Sequence, residues 1–460
     1  MLKLKKFYVR YLVAILLCLG MLVVQAKGQL DLPDMMSQIV TTGIQAGGNE
    51  DQVPELVDST TYSHLQSVML EPELLENDYE YVTKADLGAS LQSKYPDFTE
   101  GYRLKDITAG DKDTLKNNMA VALILVNMVD NNPDQASSLL EMTQGMDFYV
   151  FMSVITSDQK AQIINSFSNQ LTQMGESNLV LAVSGAVLDF YENMGASGAK
   201  IQSDYVLNKG IEMLGVTLLV TVATILGGLF SARVGAGVAK DIRKAVFEKV
   251  AQFSQNEFNH FSTASLITRT TNDITQVQNV VIMLLRIAMF APIMGVMAIY
   301  KAVNFAPTMT WIVWLVLAVL LVIIMGTFTI VLPKFKIVQK LVDKINLVMR
   351  ENLSGLLVIR AFSNEDVAKR RFEDANKDLL DVNLFVNRVM GALMPIMMFI
   401  FNTTTLLVIF YGAKEADTGS IAIGQIMAFM QYAMQILMSF LMLAMIFFMV
   451  PRASVASKRI

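Results

Sequence analysis

Long uncharged, apolar runs alternate along this chain with polar, charged segments. Four runs are long enough to cross a bilayer on their own: Met213–Ala232, Ala302–Pro333, Val389–Ala413 and Thr418–Pro451. About 20 apolar residues are needed to span the hydrocarbon core as a helix. A fifth run, Ile287–Tyr300, is short but extends backwards past Arg286 through Val277–Leu285, and Tyr11–Ala26 supplies a sixth. The pattern predicts an all-α membrane protein with six long helices. The run at Tyr11–Ala26 admits two readings. Lys3, Lys5 and Lys6 ahead of an apolar stretch ending in Val24-Gln25-Ala26 fit a cleaved leader, and they also fit an uncleaved helix continuing toward Pro33.

The polar segments have periods of their own. After Pro333, the apolar residues Phe335, Val338, Leu341, Val342, Ile345 and Val348 recur at helical spacing among lysines. The membrane helix is therefore expected to continue outside the bilayer as a stalk. At a rise of about 1.5 Å per residue, eighteen residues reach roughly 27 Å. The chain turns at Glu351–Phe362 and returns over Val367–Arg388. Between the first two apolar runs lie about 180 residues, enough for a separate domain. Helical periodicity is read at Asp113–Met128, Gln162–Met174 and Leu179–Met194, with a break at Gly195–Gly198. Asn132-Pro133 reads as a helix start, and Glu50–Tyr81 reads as irregular.

Composition agrees with this division. Among 460 residues, 53% are hydrophobic and 17% charged, against about 25% charged in soluble domains. The distribution of charge orients the helices. The N-terminus carries four Lys and Arg, Arg233–Gln276 six, Lys334–Arg388 eleven, and the C-terminal residues three. The positive-inside rule puts both termini and both long loops in the cytoplasm. The segment 27–208, with nine Lys and Arg against 26 Asp and Glu, is then outside at a net −17. The expected domains are 1–45 (first helix and its outer end), 46–205 (acidic insert), 206–450 (helices two to six with both loops) and 451–460 (a linker).

Candidate chemistry is sparse. One cysteine, Cys18, and two histidines, His64 and His260, build no disulfide framework and no zinc site. Asp130-x-Asn132-x-Asp134 through Glu141 has calcium-loop spacing, but Gln135 and Pro133 stand where the loop needs glycine and freedom to turn. No metal site, catalytic residue or nucleic-acid interface is expected. In the last helix Met427, Met430, Met434, Met438, Met442, Met445 and Met449 form one stripe at steps of three or four. It reads either as helix packing or as an adaptable substrate wall. The candidate cavity residues are Asn402, Thr405, Met427, Gln431, Met434, Gln435 and Met438. Arg286 reads either as a substrate contact or as a snorkelling or loop-pairing arginine at the cytoplasmic end of its helix.

Phe258-Asn-His-Phe-Ser-Thr-Ala-Ser-Leu-Ile-Thr-Arg-Thr-Thr-Asn-Asp273 and Glu351–Phe362 resemble the two cytoplasmic loops of ATP-binding-cassette (ABC) exporters of the six-helix, domain-swapped type. Arg286, Ala291-Pro292 and the stretch from Leu32-Pro33 to Gly43-Ile44 are also similar, and the resemblance covers 1–45 and about 205–460. It implies a short helix in each loop, lying parallel to the membrane and seated in a groove of a nucleotide-binding domain. The implied coupling residues are Asn256, Phe258, Phe261, Ser262, Thr263, Arg269 and Asp273 in the first loop and Glu351, Asn352, Ser354 and Gly355 in the second. It further implies export of an amphipathic small molecule, lipid or peptide by a dimer of half-transporters, homomeric or heteromeric, with ATP and magnesium on the motor. Arg269 and Asp273, four apart, are expected to tie the returning helix. Ala264 departs from the family's frequent glycine, and the large insert stands where the family usually has a short loop. No G-x-x-x-x-G-K-[ST] phosphate loop occurs, so the motor is expected either beyond residue 460 or on another polypeptide. The rival expectation is a membrane-anchored receptor acting through the acidic exterior domain.

Overall fold

The computed structural model describes residues 5–131, 143, 145–254, 261 and 263–459. Six of its helical segments are long and apolar enough to cross a membrane: Leu12–Gln45, Gly198–Ala251, Thr263–Phe305, Pro307–Ser354, Glu365–Asp417 and Ile423–Ala444. They are called spans one to six below. Span one passes through Pro33 and ends in a π-helical stretch, Ile39–Gln45. The apolar run expected to begin at Ala302 divides. Residues up to Phe305 complete span three, and span four starts at Pro307. The reason is local: proline fixes its own φ and cannot donate an i→i−4 bond, so it starts a helix rather than continuing one.

The chain forms two compact units. The first comprises residues 1–19, 229–408 and 433–460. Its spans close on small residues. Ala291, Ala298 and Ala302 are fully buried along span three. A Cβ on Gly235 would strike Ile282, and one on Gly295 would come within 2.8 Å of Ser439 Oγ. Lipid tails are as apolar as leucine, so close approach over small residues is what holds such helices together.

The second unit comprises residues 20–228 and 409–432, in which the acidic insert packs with the adjoining ends of spans one, two, five and six. The insert is mainly helical, as its periodicity predicts, but contains a three-stranded antiparallel sheet of order β1-β3-β2. The strands are β1 Leu56–Asp58, β2 Tyr79–Thr83 and β3 Glu100–Leu104. The expectation of irregular chain over Glu50–Tyr81 is therefore corrected. This stretch holds β1, the helices Ser59–Val68 and Glu73–Asp78, and the start of β2. The Asp58 carboxylate accepts from the Thr60 and Thr61 amides and starts the first of those helices. Tyr62, Leu65 and Val68 form its buried face, and Tyr62 stacks on Tyr102 of β3 with centroids 3.5 Å apart. Gly101 in β3 faces β1 so closely that a Cβ there would strike the Val57 carbonyl.

The core of the insert joins Leu56, Leu65, Leu75, Phe98, Leu115, Leu123, Phe148, Val187 and Phe190. At its edge Tyr191, Tyr95, Glu55, Asp51 and Lys94 form a polar lattice. The Glu55 amide donates to the Tyr191 hydroxyl at 2.8 Å, and Tyr95 donates to Glu55 Oε1 at 2.6 Å. Burial pushes the Glu55 carboxyl up, but hydrogen bonds from Lys94 and Tyr95, with the charges of Lys94 and Arg103, outweigh it and leave the pKa below its ordinary value. Burial and the neighbouring Glu55 charge instead raise Asp51, against the pull of Lys112 and Lys94. The expected helix start at Asn132-Pro133 and most of the calcium-like spacing lie outside the described residues. Asp130 itself is engaged by His64 Nδ1 at 2.9 Å and by the Tyr149 hydroxyl at 2.6 Å.

Candidate coupling loops and cavity

Span four runs without a break through Pro333 as a 45-residue helix, Thr310–Ser354. This is the expected stalk. Its partner, Glu365–Asp417, begins with Glu365 and Asp366 in the first turn, where acidic side chains favour the positive end of the helix dipole. The stalks are bridged by Lys344 Nζ to Asp378 Oδ2 at 2.9 Å and by the Lys334 ammonium 5.4 Å from the Phe385 ring, among other contacts. Both members of the ion pair are about half exposed, so it contributes less than about 1 kcal/mol.

Between the stalks, Glu351, Asn352 and Ser354 occupy the last turn of the long helix, and a separate short helix covers Leu356–Ala361. Gly355 separates them. Its φ is −94°, so no left-handed freedom is used. A Cβ there would lie 3.1 Å from the Glu351 carbonyl, a tight contact that the turn accommodates only by giving a few tenths of an ångström. The turn closes with Ser363 at φ 48° and the Asn364 amide donating to Ile359 O at 2.9 Å.

This tip carries an apolar surface that sequence reasoning passed over. Leu353 is 67% exposed, Leu357 82%, Val358 62% and Phe362 75%. The available signal is the apolar run Leu356–Ile359 following a polar Glu351–Ser354, which fits simple helix continuation as well as it fits an exposed face. Singly exposed apolar residues are ordinary, but several together at the end of a charged stalk mark an interaction surface.

In the first loop, Asn256, Phe258 and Ser262 lie outside the described residues. Phe261 stacks on Phe253 with centroids 5.7 Å apart, and the Arg269 guanidinium sits 4.9 Å from the Phe261 ring. Thr263 begins a short helix, Thr263–Thr268. The expected tie between Arg269 and Asp273 is not made. Arg269–Asp273 is a π-helical turn. Arg269 goes to Phe261 instead, and Asp273 is 4% exposed. Across the loop, Arg243 Nε donates to Thr270 O at 3.3 Å.

The cavity candidates do not gather at one place. A cavity of about 520 Å³ lies between the facing ends of spans five and six, lined by Ile409, Ala413, Asp417, Ile426, Met427 and Met430 among others. Of the seven candidates, Met427 lines it. Within span six the buried face is Phe429, Tyr432, Ala433, Ile436 and Leu437. Met427, Met430 and Met434 are half-buried, Gln431 and Met438 exposed, and Gln435 half-buried. Met427, Met430, Met434 and Met438 thus lie beside the packed face rather than on it. In span five, Asn402 is exposed and Thr405 returns its hydroxyl to Phe401 O at 3.0 Å. Sequence reasoning missed a polar pair at the seam of spans one and six, where the Tyr432 hydroxyl donates to Asp34. Ionisable groups inside spans are rare and mark functional positions. The insert has a cavity of its own, about 300 Å³, lined by Asp58, Asp97, His64, Asp130 and Asn193 among others.

Six apolar spans with two long helical loops define a multi-pass helical membrane protein. Residues 183–440 match the family model of the ABC transporter transmembrane region, which is more than half of the chain, and the chain belongs to that family. Among similar curated proteins, an uncharacterized ABC transporter ATP-binding protein of Mycobacterium bovis is 35% identical over 262 residues, covering 57% of this chain and 45% of the relative. An uncharacterized ABC transporter ATP-binding protein of Bacillus subtilis is 30% identical over 272 residues, covering 57% of this chain and 47% of the relative. A fatty acid ABC transporter ATP-binding/permease protein of Mycobacterium bovis is 24% identical over 194 residues, covering 42% of this chain and 31% of the relative. The chain thus spans less than half the length of each of these relatives.

Proposed function

We propose that this chain is the membrane-spanning part of an ATP-driven exporter for an amphipathic small molecule, lipid or peptide. The observation that carries the reading is the stalk tip, where Leu353, Leu357, Val358 and Phe362 stand exposed beside the Gly355 break. A nucleotide-binding domain with an apolar groove is the partner that such a tip fits, and the first loop adds Phe261 backed by Arg269. ATP and magnesium bind on that motor, which belongs to the same longer polypeptide or to a separate subunit. Two half-transporters, identical or different, enclose the pathway. Both termini and both loops are cytoplasmic, and the insert faces the outside of the cell membrane. The apolar cavity of about 520 Å³ with Asp417 at its lining suits an amphipath better than a sugar or an anion.

The reading is tested by reconstituting the full transporter in vesicles and following ATP-dependent movement of amphipathic dyes, fatty acids and apolar peptides. Substrate-stimulated ATP hydrolysis and uptake, both lost when Gly355 is replaced by valine, are the expected results. ATP hydrolysis that no substrate alters and no loop substitution affects would overturn it. A receptor acting through the acidic insert, with its own Asp-lined cavity of about 300 Å³, would bind its ligand with the loops deleted.

A further inference from the structure

The insert is mounted firmly on one side and touched lightly on the other. On the side of spans one and two, Asn49 Nδ2 donates to Ser184 O at 2.9 Å, and the Tyr205 hydroxyl donates to Glu50 Oε1 at 2.7 Å. Gly48, at φ +83°, lies so close to the backbone of Gln202 that a Cβ would come within 2.5 Å of its Cα. These contacts, with the covalent connections to both spans, fix this mount.

On the side of spans five and six the contact is small. The helix Glu176–Asn193 follows Gly175 at φ +84°, and the turn joining spans five and six carries Gly419 at φ +70°. The two glycines meet backbone to backbone. A Cβ on Gly175 would strike Gly419 and the Thr418 carbonyl, and a Cβ on Gly419 would strike the Met174 carbonyl. Among the described residues one backbone hydrogen bond joins the elements, from the Ser177 amide to Gly419 O at 2.9 Å. That amide is among the first-turn donors that a helix cannot satisfy internally, so the turn between the spans supplies its acceptor. The contact is shape-specific, since both partners must lack a side chain, yet it rests on one bond of ordinary strength.

We propose that the Gly175–Gly419 contact is a releasable latch. It holds the end of spans five and six against an insert carried by spans one and two, and it opens when ATP drives those ends apart. The proposal rests on the transport reading. It gives the insert a mechanical role, because a closed latch adds to the seam of spans one and six, where Tyr432 donates to Asp34 and Gly424 packs on the Ser37 carbonyl, in keeping the insert-side ends of these spans together. A permanent joint would need more than one hydrogen bond to withstand the motion. An accidental contact would not need two glycines whose missing side chains are both filled by the other's backbone.

The test uses the full transporter with Cys18→Ala, Glu176→Cys and Ser420→Cys, spin-labelled at two side chains that are exposed beside the latch. A single short distance without nucleotide, replaced by a longer one in the magnesium-ATP–vanadate-trapped state, is the expected result. Ser177→Pro removes the donor at a first-turn amide that has no intrahelical partner, and should bring the long distance into the nucleotide-free state. Gly419→Val should do the same. A distance that nucleotide leaves unchanged, or Ser177→Pro indistinguishable from the parent, would overturn the latch. A control pair on the two loops, Lys249→Cys with Asp374→Cys, separates the two failures. If it responds to nucleotide and the latch pair does not, the latch alone is wrong, and if neither responds, the transport reading falls with it.

Discussion

Replacing Leu357 and Phe362 together by alanine should uncouple the membrane part from its proposed motor without harming the fold. In the free chain these side chains are 82% and 75% exposed, so removing them breaks little within the chain. Exposed substitutions of this kind stay within about 0.5 kcal/mol of the parent in stability. In the assembled transporter the same atoms are proposed to be buried in an apolar groove. Full burial of a leucine or phenylalanine side chain is worth about 1.5–3 kcal/mol. Alanine keeps part of that, leaving a loss of about 1.5–2 kcal/mol per site. The pair then loses about 3–4 kcal/mol, or roughly 10²–10³-fold in affinity. The assay is titration of the separately expressed nucleotide-binding domain onto the detergent-solubilised membrane part, with thermal unfolding of each variant as the fold control. An affinity within about threefold of the parent would refute the docking assignment. So would a loss of affinity that tracks a fall in thermal midpoint.

Further expectations concern the insert. Gly101→Val should unfold its sheet, because the added atoms strike the Val57 carbonyl and the Phe98 ring, and limited proteolysis should then cut between β2 and β3. Phe190→Ala, which empties a site 1% exposed, should cost about 3–5 kcal/mol of insert stability as read by denaturant unfolding. Asp51→Asn should raise the insert's thermal midpoint at neutral pH. The folded pKa of Asp51 lies above its unfolded value, so its stability is full only below the unfolded pKa and is lost as pH rises through the folded one. The advantage of asparagine should therefore fade as pH falls into the carboxylate range. Glu55 has the opposite sign: its stabilising share is present above its unfolded pKa and is lost as pH falls through the lowered folded value.

Much of the membrane architecture was readable because its signals are long. A run such as Met213–Ala232 leaves a helix no alternative in lipid, where every backbone group must be satisfied internally. The stalk after Pro333 was readable too, because Phe335 to Val348 keep helical spacing among lysines. The insert's sheet was not. Its strands are three to five residues long, and the period-two pattern of Tyr79-Glu-Tyr-Val-Thr is too brief to stand out beside the charged segment before it. The π-helical turn at Arg269–Asp273 has no composition of its own, and the sequence gives no sign that Arg269 lies against Phe261 rather than Asp273. The Asp34–Tyr432 pair and the Gly175–Gly419 contact join positions hundreds of residues apart, where local pattern carries no information. The stalk tip was half readable. Gly355 marked the break, but whether Leu357 and Phe362 point into a core or into solvent depends on packing that only the fold supplies.

The most direct measurement is site-specific photo-cross-linking from position 357, with a photoreactive amino acid replacing Leu357 in the full transporter in intact membranes. The account predicts one dominant product that joins this position to an ATP-binding domain and is quenched only by reagents on the cytoplasmic side. A product with lipid alone, or one quenched from the outside of the cell, would contradict it.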